Sequence, residues 1–128
     1  MKNIRKPSAA ETAILSILWE HEPCTVKEIH AFLSSSKTVS HTTTLKQVQR
    51  MLEKGLVTRK AGEGRSHIYS AAEAENTTKS ALFESFVKNA FGGSTSDLVM
   101  HALGNEKTSE AEIDAIKAFV ENLSKTSR

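Results

Sequence analysis

The sequence predicts a mainly α protein with one small β-hairpin, arranged in two parts. Apolar residues recur at spacings of three and four through most of the 128 residues, which is the period of helices. That pattern is broken once, between Leu56 and Ser70, where the β-formers Val57, Thr58, Ile68 and Tyr69 flank Gly62-Glu63-Gly64-Arg65. Charge is divided unevenly along the chain. Eleven Lys and Arg against six Asp and Glu leave Met1–Ala72 at +5, while six against nine leave Glu73–Arg128 at −3. The expected organisation is therefore a basic domain over residues 1–72 and an acidic, helical one over 73–128.

Composition narrows the function classes. With 38% hydrophobic and 25% charged residues, the chain has the balance of a soluble globular protein. No apolar run approaches the roughly 20 residues needed to cross a bilayer, so no membrane insertion is expected. The N-terminal MKNIRKPSAAE has basic residues with no apolar stretch behind them, unlike a secretory signal. A single cysteine, Cys24, excludes an internal disulfide and fits a reducing cytoplasm, the expected location.

The first helix is expected over Ser8–Trp19. Ser8 and Glu11 have the spacing of a capping box, and Ala10, Ile14, Ile17, Leu18 and Trp19 mark an apolar face. Pro23 ends this segment. Thr25 and Glu28 form a second capping box, opening a short helix whose buried side is Val26, Ile29, Phe32 and Leu33, and Ser34-Ser35-Ser36 breaks it. The third helix lies in SHTTTLKQVQRMLEKGLV, from Ser40 to Val57. Ser40 or Thr42 caps its start, and Gly55 stops it in a left-handed turn. Leu45, Val48 and Leu52, widened by Met51, make its inner stripe. Thr43, Thr44, Lys46, Gln47, Gln49 and Arg50 make an outer face with no carboxylate before Glu53. Such donors and acceptors reach base edges and phosphates. Leu56–Ala61 and Ser66–Ser70 then form the hairpin, with Arg59, Lys60 and Arg65 around its tip. Three helices followed by a basic hairpin are the winged helix-turn-helix arrangement, in which the third helix enters a major groove.

The second part is expected to be three helices: Glu73–Phe91, ended by Gly92-Gly93, then Ser94–Leu103, then one capped by Ser109 and Glu112. In the last, Ile113, Ile116, Val120 and Leu123 step by three, four and three, the spacing of a seam against another helix. These helices are too thinly apolar for a self-contained core, so a partner surface is expected, most simply a second copy of the chain. Phe86, Val87, Phe91, Leu98 and Val99 join the seam as candidate interface residues.

The spans SAAETAILSILWE, TTTLKQVQRMLEKGLV, TRKAGEGRSHIYSA and FGGSTSDLVMHAL strongly resemble the penicillinase-repressor family (the BlaI/MecI type) over nearly the whole chain. The resemblance implies homodimeric winged-helix repressors that hold pseudo-palindromic operators through the N-terminal domain and dimerise through the C-terminal helices. It also implies a membrane sensor protease, whose signal leads to cleavage of the repressor in its C-terminal domain and opens the promoter. Carried over by residue, the family's DNA-facing positions fall on His41, Thr43, Thr44, Lys46, Gln47 and Arg50, and its wing positions on Lys60, Arg65 and His67. The family's cleavage position, an Asn–Phe bond after a Gly-Gly and a Leu-Val pair, falls on His101-Ala102 here, a departure from the pattern. The cysteine-rich metal site of copper-responsive relatives has no counterpart, because Cys24 is the only cysteine.

Other chemistry has little to stand on. His21, Cys24, His30 and His41 are potential metal ligands, yet His21 and Cys24 form a lone close pair with no second one, so no metal or cofactor is expected. Cys24 is read as a small buried side chain, His67 and Tyr69 as hairpin packing, and His101 as an interface residue. No nucleophile–base–acid order and no phosphate-binding glycine loop occur, so the chain is not expected to be an enzyme. The expected function is a cytoplasmic, homodimeric repressor that binds double-stranded operator DNA. Two other readings remain: an effector-binding winged-helix regulator that is never cleaved, and a winged-helix module that binds another protein.

Overall fold

The computed structural model describes residues 6–126, with side chains described as far as Leu123. Both N-terminal capping boxes are present. The Ser8 hydroxyl accepts from the Glu11 amide at 3.2 Å while Ser8 N–H donates to Glu11 Oε1 at 2.8 Å, opening α1 (Ala9–His21). Thr25 and Glu28 repeat the exchange at 3.1 and 2.9 Å and open α2 (Val26–Ser34). The third helix, α3 (His41–Lys54), is capped by Ser40, whose hydroxyl accepts from the Thr43 amide at 3.1 Å. It ends at Gly55, which has φ 82°. That dihedral belongs to the left-handed region, where a Cβ is penalised. Nothing lies within 4 Å of the position a Cβ would take there, so Gly55→Ala is expected to cost about 1 kcal/mol through the backbone alone, read from urea unfolding.

The wing is an antiparallel pair, β1 (Val57–Ala61) and β2 (His67–Ala71), registered with Val57 opposite Ala71 and Ala61 opposite His67. Its loop closes through Gly62 N–H to the Ser66 carbonyl at 2.9 Å, with Gly64 at φ 62°. The chain between α1 and α2 extends this sheet. Cys24 and Tyr69 exchange two backbone hydrogen bonds, at 3.0 and 2.7 Å, so the α1–α2 junction is held on the wing. The remaining helices are α4 (Glu75–Ala90), α5 (Thr95–Leu103) and α6 (Glu110–Thr126). The chain divides into two compact units, one running to Leu82 and one from Phe83 onward. Within the first, Trp19 Nε1 donates to the Glu73 carbonyl at 3.1 Å.

The core of the first unit is built from Ile14, Leu15, Leu18, Ile29, Leu33, Val48, Met51, Leu56 and Val57, with Cys24 and Tyr69. Truncating one such side chain to alanine typically costs 2–5 kcal/mol. Several expectations about the inner stripes need correction. Leu15 is buried in α1 where Ala10 is exposed, because α1 turns its 14-15-18 edge inward. Phe32 is exposed at 40% and stacks on the His21 ring at 4.1 Å instead of entering the core. In α3 the centre of the buried face is Thr44, Val48 and Met51, and Leu45 and Leu52 are only half-buried.

Candidate nucleic-acid interface

Helix α3 shows solvent a continuous polar face. Thr42, Thr43, Lys46, Gln49 and Arg50 are exposed, and Glu53, the helix's one acid, comes only near its end. Among the described residues, Lys46, Arg50, Arg59, Lys60 and Arg65 take part in no ion pair. Exposed cations left unpaired on a small domain attract polyanions. On this face the sequence predicts Thr42 only as a helix cap, and Gln49 as part of the outer face without a contact of its own. Their spacing from Lys46, four residues before and three after, is the signal that finds them.

Thr44 departs from the expected role. It is buried to 1% exposure, and its hydroxyl donates to the Ser40 carbonyl at 3.3 Å. His30 Nδ1 meets the same hydroxyl at 3.0 Å, and His30 Nε2 lies 3.1 Å from Ser34 Oγ. With the Thr44 proton committed to Ser40, His30 donates from Nδ1 and accepts from Ser34. Thr44 therefore joins α3 to α2 and offers nothing to DNA. Thr44→Val is expected to cost about 1–2 kcal/mol in urea unfolding while leaving operator affinity within about threefold.

The other predicted contacts fall into distinct places. A groove of about 400 Å³ gathers His41, Leu45 and Gln49 of α3, Thr25, Val26 and Lys27 at the start of α2, and Arg59, Arg65, His67 and Tyr69 of the wing. Four predicted residues, His41, Arg59, Arg65 and His67, thus meet between helix and wing, and Lys27 adds a cation that the sequence reading overlooked. Lys60 is exposed but pairs with Ile68, whereas Arg59 pairs with Tyr69, so the two point to opposite faces of the hairpin. Gln47 is half-buried at the other edge of α3. There it borders a crevice of about 60 Å³ with Thr43, Lys37, Val39 and Leu33. Tyr69 packs in the hairpin as expected, and His67 does not, being exposed.

Two titratable groups beneath this surface are perturbed. Burial pushes the Glu11 carboxyl up. The Lys54 hydrogen bond and charge, with the Ser8 amide and hydroxyl, outweigh it and hold the group below its usual value. A carboxyl lowered by folding contributes stability above its unfolded value, about 4.3, and loses that contribution as pH falls through the folded value. Glu11→Gln is thus expected to flatten the acid side of the stability profile, followed by urea unfolding from roughly pH 7 to roughly pH 3. The Cys24 thiol is pushed up by burial and by the carboxylates of Glu28 and Glu22, and it lies 3.4 Å from the His21 carbonyl. It is a protonated packing residue. Among the described residues, no three His, Cys, Asp or Glu side chains are placed to hold a metal ion.

In the unit from Phe83 onward, the candidate interface residues differ in their availability. Phe86, Val99, Val120 and Leu123 are exposed, as are Phe83, Met100 and Phe119, which the sequence reading did not select. Phe91, Leu98, Ile113 and Ile116 are half-buried. Val87 is corrected: at 5% exposure it is already covered within one chain. His101 sits edge-on to Phe91 at 5.9 Å, and Phe91 to Phe86 at 5.7 Å. His101 and Ala102 are exposed in the last turns of α5, and the Ala102 carbonyl accepts from the Thr108 hydroxyl at 2.8 Å.

Comparison with known proteins agrees with this architecture. The penicillinase repressor of Bacillus licheniformis is 26% identical over 121 residues, 94% of each chain. That of Staphylococcus aureus is 25% identical over 118 residues, 92% of this chain and 93% of the relative. A mutant of ZitR from Lactococcus lactis superposes with a TM-score of 0.50 at 19% identity, over 97% of this chain and 77% of that one, a likeness of fold alone. A family model described as penicillinase repressor matches residues 7–122. That match reaches all six helices and the hairpin, and the chain belongs to the penicillinase repressor family, whose members are transcriptional repressors and not enzymes.

Proposed function

We propose that two copies of this chain form a repressor that occupies a two-fold symmetric operator, each copy laying the exposed face of α3 in a major groove. The observation that carries this reading is the exposed, carboxylate-free surface of Thr42, Thr43, Lys46, Gln49 and Arg50 beside the basic wing groove. Lys46 and Arg50, one turn apart, read base edges or the groove wall, and Thr43 and Gln49 flank them. Arg59, Arg65, His41, His67 and Lys27 hold the backbone where it crosses between helix and wing, and Lys60 touches phosphate from the hairpin's other face. The exposed apolar residues of α6 and its unit, Phe119, Val120 and Leu123 among them, support pairing of two copies. The protein would act in the cytoplasm, where such DNA is found. No helix among the described residues is long and apolar enough to cross a membrane.

Equilibrium selection from random duplexes tests this reading. Enrichment of an inverted repeat with half-sites about one turn, roughly 34 Å, apart is expected. No enrichment, or a single unrepeated half-site, would reject it.

Release acts through the unit from Phe83 onward, with a membrane sensor protease as the partner that cuts at His101-Ala102. A second reading, release by a bound effector without cutting, is favoured by one observation: that peptide bond lies in helix, with Thr108 on the Ala102 carbonyl. Proteases take extended chain, so α5 must unwind first. Immunoblots of cells challenged with a β-lactam separate the two readings. A fragment ending near His101 supports cutting, and derepression with intact chain supports the effector.

A further inference from the structure

We propose that the ion pair between buried Glu11 and the half-exposed Lys54 positions the reading helix, so that discrimination between DNA sequences depends on it more than affinity for DNA does. The proposal rests on the DNA-reading role of α3 given above. Glu11, in the first turn of α1, is 1% exposed, and its two oxygens have separate partners. Oε1 takes the Ser8 amide at 2.8 Å and Oε2 the Lys54 ammonium at 2.7 Å. Lys54 is the last residue of α3, directly before Gly55 turns the chain toward the wing. The contact therefore joins the start of the first helix to the end of the reading helix across 43 positions of sequence.

Apolar contacts between helices tolerate sliding, whereas a charge-assisted hydrogen bond to a buried carboxylate holds distance and direction. The lever is long. At 1.5 Å per residue, Lys46 lies about 12 Å from Lys54 along α3, so a tilt of about 5° at Lys54 moves Lys46 by roughly 1 Å. Base-edge hydrogen bonds fail over roughly 0.5–1 Å of misplacement. Attraction to phosphates falls only gradually with distance and survives such a shift. Loosening the pair should therefore reduce the preference for the operator and spare general DNA binding. A pair that served stability alone would leave the preference intact in any variant that remains folded.

The test measures the affinity of the full chain for the selected operator and for a scrambled duplex at equal salt, by fluorescence anisotropy. Folding of each variant is verified by circular dichroism at the same temperature. Lys54→Met and Glu11→Gln are expected to lower the operator-to-scrambled ratio by about tenfold or more, with scrambled-duplex affinity within about threefold of the parent. Lys54→Arg, which keeps the charge, is expected to retain most of the ratio. An unchanged ratio in folded Lys54→Met overturns the proposal, as does an equal fall in both affinities. Should Lys54→Met not fold, Glu11→Gln, which removes the carboxylate charge at nearly constant size, decides alone, and an unchanged ratio there is equally contrary. A parent chain with no preference for any duplex would instead reject the DNA-reading role itself.

Discussion

Arg50→Ala is expected to lower affinity for the selected operator by roughly thirtyfold to twenty-thousandfold while leaving the dimer and its unfolding curve unchanged. A specific side-chain contact to a base edge is worth about 1–3 kcal/mol, and in a two-fold complex each substitution acts twice, so the loss is about 2–6 kcal/mol. Arg50 is exposed and in no ion pair among the described residues, so the fold loses little by its removal. Lys60→Ala is the matched control. It removes one cation from the face of the hairpin turned away from the groove, and it should weaken all duplexes alike by a much smaller factor. Anisotropy titrations against operator and scrambled DNA, with sedimentation equilibrium for the dimer, check both variants. Arg50→Ala binding with parental affinity would remove α3 from the reading role.

The second large effect is expected at the other end of the chain. Val120→Asp combined with Leu123→Asp places four carboxylates, two from each copy, in the proposed interface, where burying an unpaired charge costs several kcal/mol. Both positions are about half exposed in the single chain, so its own folding should be little affected. The expected products are a monomer in sedimentation equilibrium and an operator affinity lower by roughly 10²- to 10⁴-fold, because two half-sites are no longer bound by one tethered pair. Affinity for an isolated half-site should not change. A stable dimer in this variant would place the interface away from α6.

Elements governed by neighbouring residues were legible from the sequence. Ser8 with Glu11 and Thr25 with Glu28 lie three apart, and their reciprocal bonds follow from local helix geometry. Gly55 and the loop glycine Gly64 adopt the positive dihedrals that glycine favours, and the hairpin falls within one residue of its expected bounds. The misplacements arise where a distant neighbour decides the outcome. In α3, a threonine was preferred to a leucine at the centre of the buried face because His30, 14 positions earlier, supplies a partner for its hydroxyl. A polar residue with its bonds satisfied can be buried at little cost, and hydrophobicity alone assigns it to the surface. Phe32 followed the helical period but meets His21 at the rim of the fold. The Cys24–Tyr69 bridge and the Glu11–Lys54 pair join positions more than 40 apart, and no local pattern announces them.

The same distinction holds for the candidate interface. Lys46 and Arg50 were legible because helical spacing alone puts them opposite Val48 and Met51. The meeting of His41, Arg59, Arg65, His67 and Lys27 in one groove depends on how the wing folds back toward α2 and α3, which only the three-dimensional structure gives.

The salt dependence of operator binding tests the central claim most directly. Lys46, Arg50, Arg59, Lys60 and Arg65 from two copies offer up to ten phosphate or groove contacts, and each phosphate neutralised contributes about −0.9 to the slope of log affinity against log salt. A slope between about −5 and −9 is expected for the intact protein on its selected operator. A slope near zero would contradict a DNA-reading surface on α3 and the wing, and would point instead to a module that binds another protein.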